Sequence, residues 1–83
     1  MLRPKTYKDE YRRVWASLIR STRLQVAQAE DEITANPDVR IKGRYERNGY
    51  RYDVSVPGVI IQYRVLDGGT VSFDAILDVT AGP

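Results

Sequence analysis

Cysteine and histidine are both absent from the 83-residue sequence. The first absence excludes disulfides and thiolate metal sites, and the second excludes any mechanism that needs an imidazole base or ligand. No cofactor or metal is expected. A domain without disulfides suits a reducing cytoplasm, the expected location. No apolar run is long enough to span a membrane, and "MLRPKTYKDEYRR" lacks the apolar core of a secretory signal. Glycine and proline are missing between Lys5 and Asn36, so nothing there interrupts helix. Residues 1–83 read as one small domain, which at this size buries only about 60% of its unfolded surface.

The charge that is present is unevenly placed. Residues 1–51 carry 12 of the 13 Lys and Arg against seven acids, a net +5. Residues 52–83 carry Arg64 against four aspartates, a net −3. A basic half suits an anionic partner such as nucleic acid, and an acidic half opposes one. Solvated helix faces would carry the same charge without any partner.

Periodicity divides the chain in two. Tyr7, Tyr11, Val14 and Leu18 recur at helical spacing, with Trp15, Ile19 and Val26 widening the stripe. Thr6 with Asp9, and Thr22 with Gln25, resemble helix-capping pairs. The reading is a helix at about 7–20, a break at "RST", and a second helix at about 23–35 in an antiparallel hairpin; one continuous helix is the alternative. "NPD" at 36–38 ends the helical part. Beyond it the period is two. Tyr50, Tyr52, Val54 and Val56 share one face, and Arg51, Asp53 and Ser55 the other. The Asn48-Gly49 pair predicts a type I′ turn, Pro57-Gly58 a type II turn, and "DGG" at 67–69 a hairpin turn. In the last strand Val71, Phe73, Ala75, Leu77 and Val79 are expected inward and Thr70, Ser72, Asp74 and Asp78 outward. The expected architecture is α+β: an N-terminal helical hairpin on a roughly four-stranded antiparallel meander spanning about 39–79, with a frayed tail at 80–83.

Three groups of residues could carry chemistry. Arg40, Lys42, Arg44, Arg47 and Arg51 interleave with Tyr45, Tyr50 and Tyr52, and a strand at about 39–46 would put Arg40, Lys42 and Arg44 on one face. Guanidinium groups grip phosphate and tyrosines stack on unpaired bases, whereas a solvated face with Tyr–Arg packing has the same composition. Lys5, Lys8, Arg12, Arg13, Arg20 and Arg23 on the helices read as mainly solubilising. Glu30, Asp31 and Glu32 point in different directions on a helix and read as surface, with no metal site.

"YDVSVPGVIIQYRVLDGGTVSFDAI" resembles the RelE/ParE superfamily of toxin–antitoxin toxins. In that family a strand pair of the form Y-x-x-x-V-G-x-x-x-V-x-Y-R-V follows a helical hairpin and an Asn-Pro-type loop, and Tyr63, Arg64 and Val65 fall on its Tyr-Arg-Val. The likeness covers about residues 25–79. It implies a compact toxin fold whose members cut messenger RNA on the ribosome or poison DNA gyrase, each silenced by a cognate antitoxin. The chain is degenerate at the usual basic positions, with Asp53, Ser55 and Ile60 there and "DVTAGP" at the end. The family's first strand is not evident in "MLRPKTY".

The expected function is a toxin-type protein inhibiting a host process through RNA, the ribosome or a DNA enzyme. The alternative is a non-enzymatic inhibitor of phage or mobile-element type that docks on a target protein. Whether it is an enzyme, a metal-independent endoribonuclease, is left open. Arg51 and Arg64 are the candidate catalytic residues. Arg40, Lys42, Arg44, Arg47, Arg51, Tyr50, Tyr63 and Arg64 are the candidate RNA- or partner-binding residues. Partners would be an antitoxin, a target protein, RNA or a second copy of the chain, and no membrane.

Overall fold

A computed structural model describes residues 3–79; the expected tail at 80–83 lies outside them. The elements follow one another as β1 (Lys5–Tyr7), α1 (Asp9–Ser17), α2 (Arg20–Ala35), β2 (Arg44–Arg47), β3 (Tyr50–Asp53), β4 (Val59–Val65) and β5 (Val71–Asp78). The strands lie in the order β1-β5-β4-β3-β2. The expected antiparallel meander is β2 to β5. To it β1 adds a fifth strand, parallel to β5, so the sheet is mixed and not purely antiparallel. The α+β class holds.

Three residues are too few to display a period of two, which is why β1 escapes a reading of the pattern. Packing and backbone pairing hold it. The Tyr7 ring stacks on Phe73 at 5.3 Å, and Val71 and Lys8 close the ladder through N–H bonds to the Pro4 and Phe73 carbonyls. Thr6 therefore lies in a strand, and Lys8 stands at the start of α1 without a side-chain cap.

The helical region is two helices, but the break falls at Leu18 and Ile19, both extended, so Thr22 is inside α2. Arg23 lies over Trp15, Tyr11 reaches Glu30 and Lys5 reaches Asp31, pairings that run antiparallel. Tyr11, Val26, Ile33, Ile61, Tyr63 and Phe73 are buried between the helices and one face of the sheet.

Turn chemistry behaves as its residues dictate. Asn48 and Gly49 both have positive φ, and Gly58 at φ 84° follows Pro57 in a turn closed by Val59 N–H to the Val56 carbonyl. The alternation in β5 does not survive. Gln62 pairs with Ala75 but Tyr63 pairs with Phe73, leaving Asp74 as the extra residue of a bulge. Past it the facing inverts: Ile76 is buried, and Leu77 and Val79, expected inward, are exposed.

A second correction concerns Glu30, expected at the surface. It is buried, with the Tyr11 hydroxyl donating to Oε2 at 2.6 Å and the Tyr7 hydroxyl to Oε1 at 3.2 Å. One carboxylate thus ties β1, α1 and α2 together. Burial raises its pKa; the hydrogen bonds from Tyr11 and Tyr7 and the charge of Lys5 pull it down, and neighbouring Asp31 adds to the rise. Glu30 therefore holds its proton more tightly folded than unfolded. Wild type should lose stability as pH climbs from about 4.5 to the raised value, whereas Glu30→Gln should not. The check is the difference between their urea midpoints against pH. That difference shifts toward the variant across this window, and a constant difference would refute the assignment.

Candidate functional site

The sheet separates the candidate residues by face. On the face toward the helices, Arg44 Nε lies 2.9 Å from Asp53 Oδ2, both side chains at most 4% exposed. Arg44 Nη1 also donates to the carbonyls of Asn36 and Asp38. Asp53 Oδ1 accepts the Ser55 N–H at 2.8 Å and the Ser55 hydroxyl at 2.5 Å. Arg51 Nη1 donates to the Pro37 carbonyl at 3.1 Å, and the Tyr63 hydroxyl donates to the same oxygen at 3.0 Å. Arg51 Nε also lies 3.8 Å from the Glu46 carboxylate. Arg44, Arg51 and Tyr63 thus clasp the loop that leaves α2. The Tyr63 ring is fully buried, so no base can stack on it.

Arg40 and Lys42 lie in the loop before β2 and not on a strand, which begins at Arg44. Arg40 is turned to Asp38, its Nη2 2.6 Å from Oδ2. Hydrogen bonds from the Arg40 side chain and backbone hold the Asp38 carboxyl down to about 2. Lys42 is exposed.

The opposite face carries Arg47, Tyr50 and Arg64. The turn at 48–49 sets Tyr45 opposite Tyr52 and Arg47 opposite Tyr50. The Tyr45 and Tyr52 rings stack at 4.9 Å, 17° from parallel, and the Tyr52 hydroxyl accepts the Gln62 amide at 3.0 Å. The Arg64 guanidinium lies 5.6 Å from the Tyr50 ring centre. It grips Asp74 through two bonds, Nε to Oδ2 at 2.6 Å and Nη2 to Oδ1 at 3.2 Å, while the Ser72 hydroxyl donates to Oδ1 at 2.7 Å. These bonds to Asp74 raise the Arg64 pKa further. The result is an exposed aromatic face with one buried acid neutralising its central cation.

The candidate residues therefore do not converge on one centre. Gln62, Ser72 and Asp74 belong to the outer face without having been singled out for chemistry in the sequence, and Tyr45 and Tyr52, part of the basic and aromatic cluster but not of the final candidate site residues, belong there too. The register of the Asn-Gly turn could have supplied the tyrosine pair; Asp74 depends on a bulge that no local pattern signals. Among the described residues no group of three His, Cys, Asp or Glu could hold a metal ion. No helix among them is long and apolar enough to cross a membrane.

No family model matches the chain, and no curated protein matches its sequence. Solved structures do. The archaeal RelE–RelB complex from Pyrococcus horikoshii OT3 matches with a TM-score of 0.77 at 12% identity, over 99% of this chain and 100% of that one. The intact E. coli RelBE toxin–antitoxin complex gives 0.73 at 14%, over 89% and 93%. The toxin–antitoxin complex RelBE2 from Mycobacterium tuberculosis gives 0.71 at 16%, over 92% and 96%. The fold is RelE-like. At such identities the fold is what is shared, and the faces of this RelE-like sheet have their own chemistry. Ile60 lies opposite Leu77, for example, so one end of the outer face is apolar.

The clasp makes a sharp mutational contrast. Arg44→Met strands the Asp53 carboxylate and two loop carbonyls, and should cost about 3–5 kcal/mol. Arg47→Met, on the same strand but exposed, should change stability by less than about 0.5 kcal/mol. Urea denaturation compares them. Equal midpoints would show that the Arg44 pair does not hold the loop.

Proposed function

We propose that this chain is the toxin-type member of a toxin–antitoxin pair, and that it inhibits its host by binding a target through the outer sheet face. The RelE-like fold, shared along about nine-tenths of the chain with components of two complexes described as toxin–antitoxin, supports the toxin-type role and an antitoxin partner. The observation that favours binding over RNA cleavage is the bidentate Arg64–Asp74 pair. Cleavage without histidine or metal needs unpaired cations preorganised around the phosphate, where losing one such contact costs roughly a hundredfold or more. Here Arg44 and Arg51 serve the core, and Arg64 has a carboxylate on it. What remains on the outer face is suited to contact: Tyr45, Tyr50 and Tyr52 with Arg47, residue types enriched at the centres of protein interfaces.

Action on RNA or the ribosome is the second reading, favoured by the same tyrosines, which offer stacking surfaces beside Arg47 and Arg64. Induced expression in a bacterial host separates the two, comparing wild type with Tyr50→Ala/Arg47→Ala and mapping transcript ends. The expected outcome is growth arrest without new ends, relieved in the double variant because both residues are exposed and leave the core intact. New ends that vanish in the variant would assign RNA cleavage instead. Unimpaired growth would remove the toxin reading in that host.

A further inference from the structure

Three carboxylates are buried among the described residues: Glu30, Asp53 and Asp74. Asp53 is paired with Arg44 and Asp74 with Arg64. Among the described residues Glu30 has two tyrosine hydroxyls and no cation within ion-pair distance; Lys5, whose charge reaches it, places its ammonium 3.4 Å from Asp31 instead. A buried carboxylate is costly when uncompensated, and neutral hydroxyls compensate only part of its charge. Each Glu30 oxygen accepts one hydroxyl hydrogen and keeps capacity for another.

Only a small part of Glu30, 7% exposed, reaches the surface. It lies in a cleft of about 300 Å³ between β1, α1 and α2, whose other lining residues are Tyr7, Tyr11, Arg12 and Trp15. Aromatic faces attract cations through their quadrupoles, most strongly where water is excluded. The chain's own guanidinium groups already settle on two of these rings: Arg12 lies 5.8 Å from the Tyr7 centre and Arg23 5.5 Å from that of Trp15. Aromatic walls with a carboxylate among them match an ammonium or guanidinium group. An anion would meet Glu30 unfavourably. The volume is at the small end of ligand sites, roughly 300–1,000 Å³, which suits a single side chain or a small amine.

We propose that this cleft binds an organic cation, an ammonium or guanidinium group, with Glu30 as its counter-ion and the rings of Tyr7, Tyr11 and Trp15 as its walls. The site is separate from the outer sheet face and independent of the toxin reading. Arg12 stands beside it as a competing cation, so its removal should strengthen binding.

Trp15 is the single tryptophan of the chain, so its fluorescence reports on the cleft alone. The purified chain is titrated with arginine methyl ester and choline, with citrulline methyl ester as the neutral counterpart, and with a capped alanine peptide carrying one arginine. Saturable changes with the cations and none with citrulline are expected. Glu30→Gln should weaken binding by roughly tenfold or more, and Arg12→Ala should tighten it. Tighter binding of the peptide than of the free ester identifies a partner's side chain as the source; equal binding identifies a free cation. Both variants are first shown to be folded by circular dichroism, with Glu30→Asp as the charged substitute if Glu30→Gln does not fold. Absence of a saturable response in wild type and Arg12→Ala would overturn the proposal. So would binding of the citrulline ester equal to that of the arginine ester in wild type or in Glu30→Asp, unchanged cation binding in Glu30→Gln, or weaker cation binding in Arg12→Ala.

Discussion

The carbonyls of Asn36, Pro37 and Asp38 must find donors where α2 ends against the sheet, and much of the molecule's chemistry follows from which residues supply them. These carbonyls belong to the loop that follows α2 and have no partner in helix or sheet, and leaving one unsatisfied where the chain is buried, as at Pro37, is costly. Arg44, Arg51 and Tyr63 supply the donors from β2, β3 and β4. An arginine brought that far inside requires its own counter-ion, and Asp53 meets that need. The pair adds little net stability by itself, since desolvation offsets most of its attraction. Its contribution is orientation: it fixes where the helical layer meets the sheet.

This use of cations leaves the outer face with a different character. Arg44 and Arg51 are turned inward, and Arg64, which stays outside, meets Asp74 on the neighbouring strand. The bulge makes that meeting possible. By adding a residue between the partners of Tyr63 and Gln62, it places Asp74 beside Arg64 and turns Ile76 into the core. The same irregularity thus neutralises the outer face and completes the inner one. Stacked Tyr45 and Tyr52 then cover sheet that no helix protects.

Much of this was legible from residue order, and the limits have physical causes. The turns at Asn48-Gly49 and Pro57-Gly58 declare themselves because few other residues adopt their backbone angles. The meander follows from them, and so does the pairing of Tyr45 with Tyr52. The alternation at 50–56 correctly separated Arg51 and Asp53 from Tyr50 and Tyr52, but a period of two distinguishes the faces without saying which is inward. In β3 it is the charged set that turns toward the helices: Asp53 meets Arg44 and Ser55, and Arg51 meets the Pro37 carbonyl, a partner of a kind that every residue carries and no sequence pattern displays. That is why Arg40, Lys42 and Arg44 looked alike and have different fates: two in an exposed loop, one in the core. Short β1 was hidden for a related reason, since it is fixed by β5, distant in the chain, and the bulge at Asp74 was hidden because it depends on the register against β4.

The three carboxylates buried among the described residues show how differently one functional group can be used in a small chain. Asp53 and Asp74 face guanidinium groups that are charged at every accessible pH, so each pair is fixed in register. Glu30 faces hydroxyls, which can rotate to donate to a carboxylate or accept from a carboxylic acid. Its hydrogen bonds therefore survive either charge state, and the cost of burial raises its pKa instead of being cancelled by a counter-ion. Two of the acids hold the fold in one arrangement. The third holds it as well, joining β1 and α1 to α2, with hydroxyls in place of a guanidinium as its partners. In so small a protein, the place where structure is satisfied and electrostatics is not is the place where an external charge has most to gain.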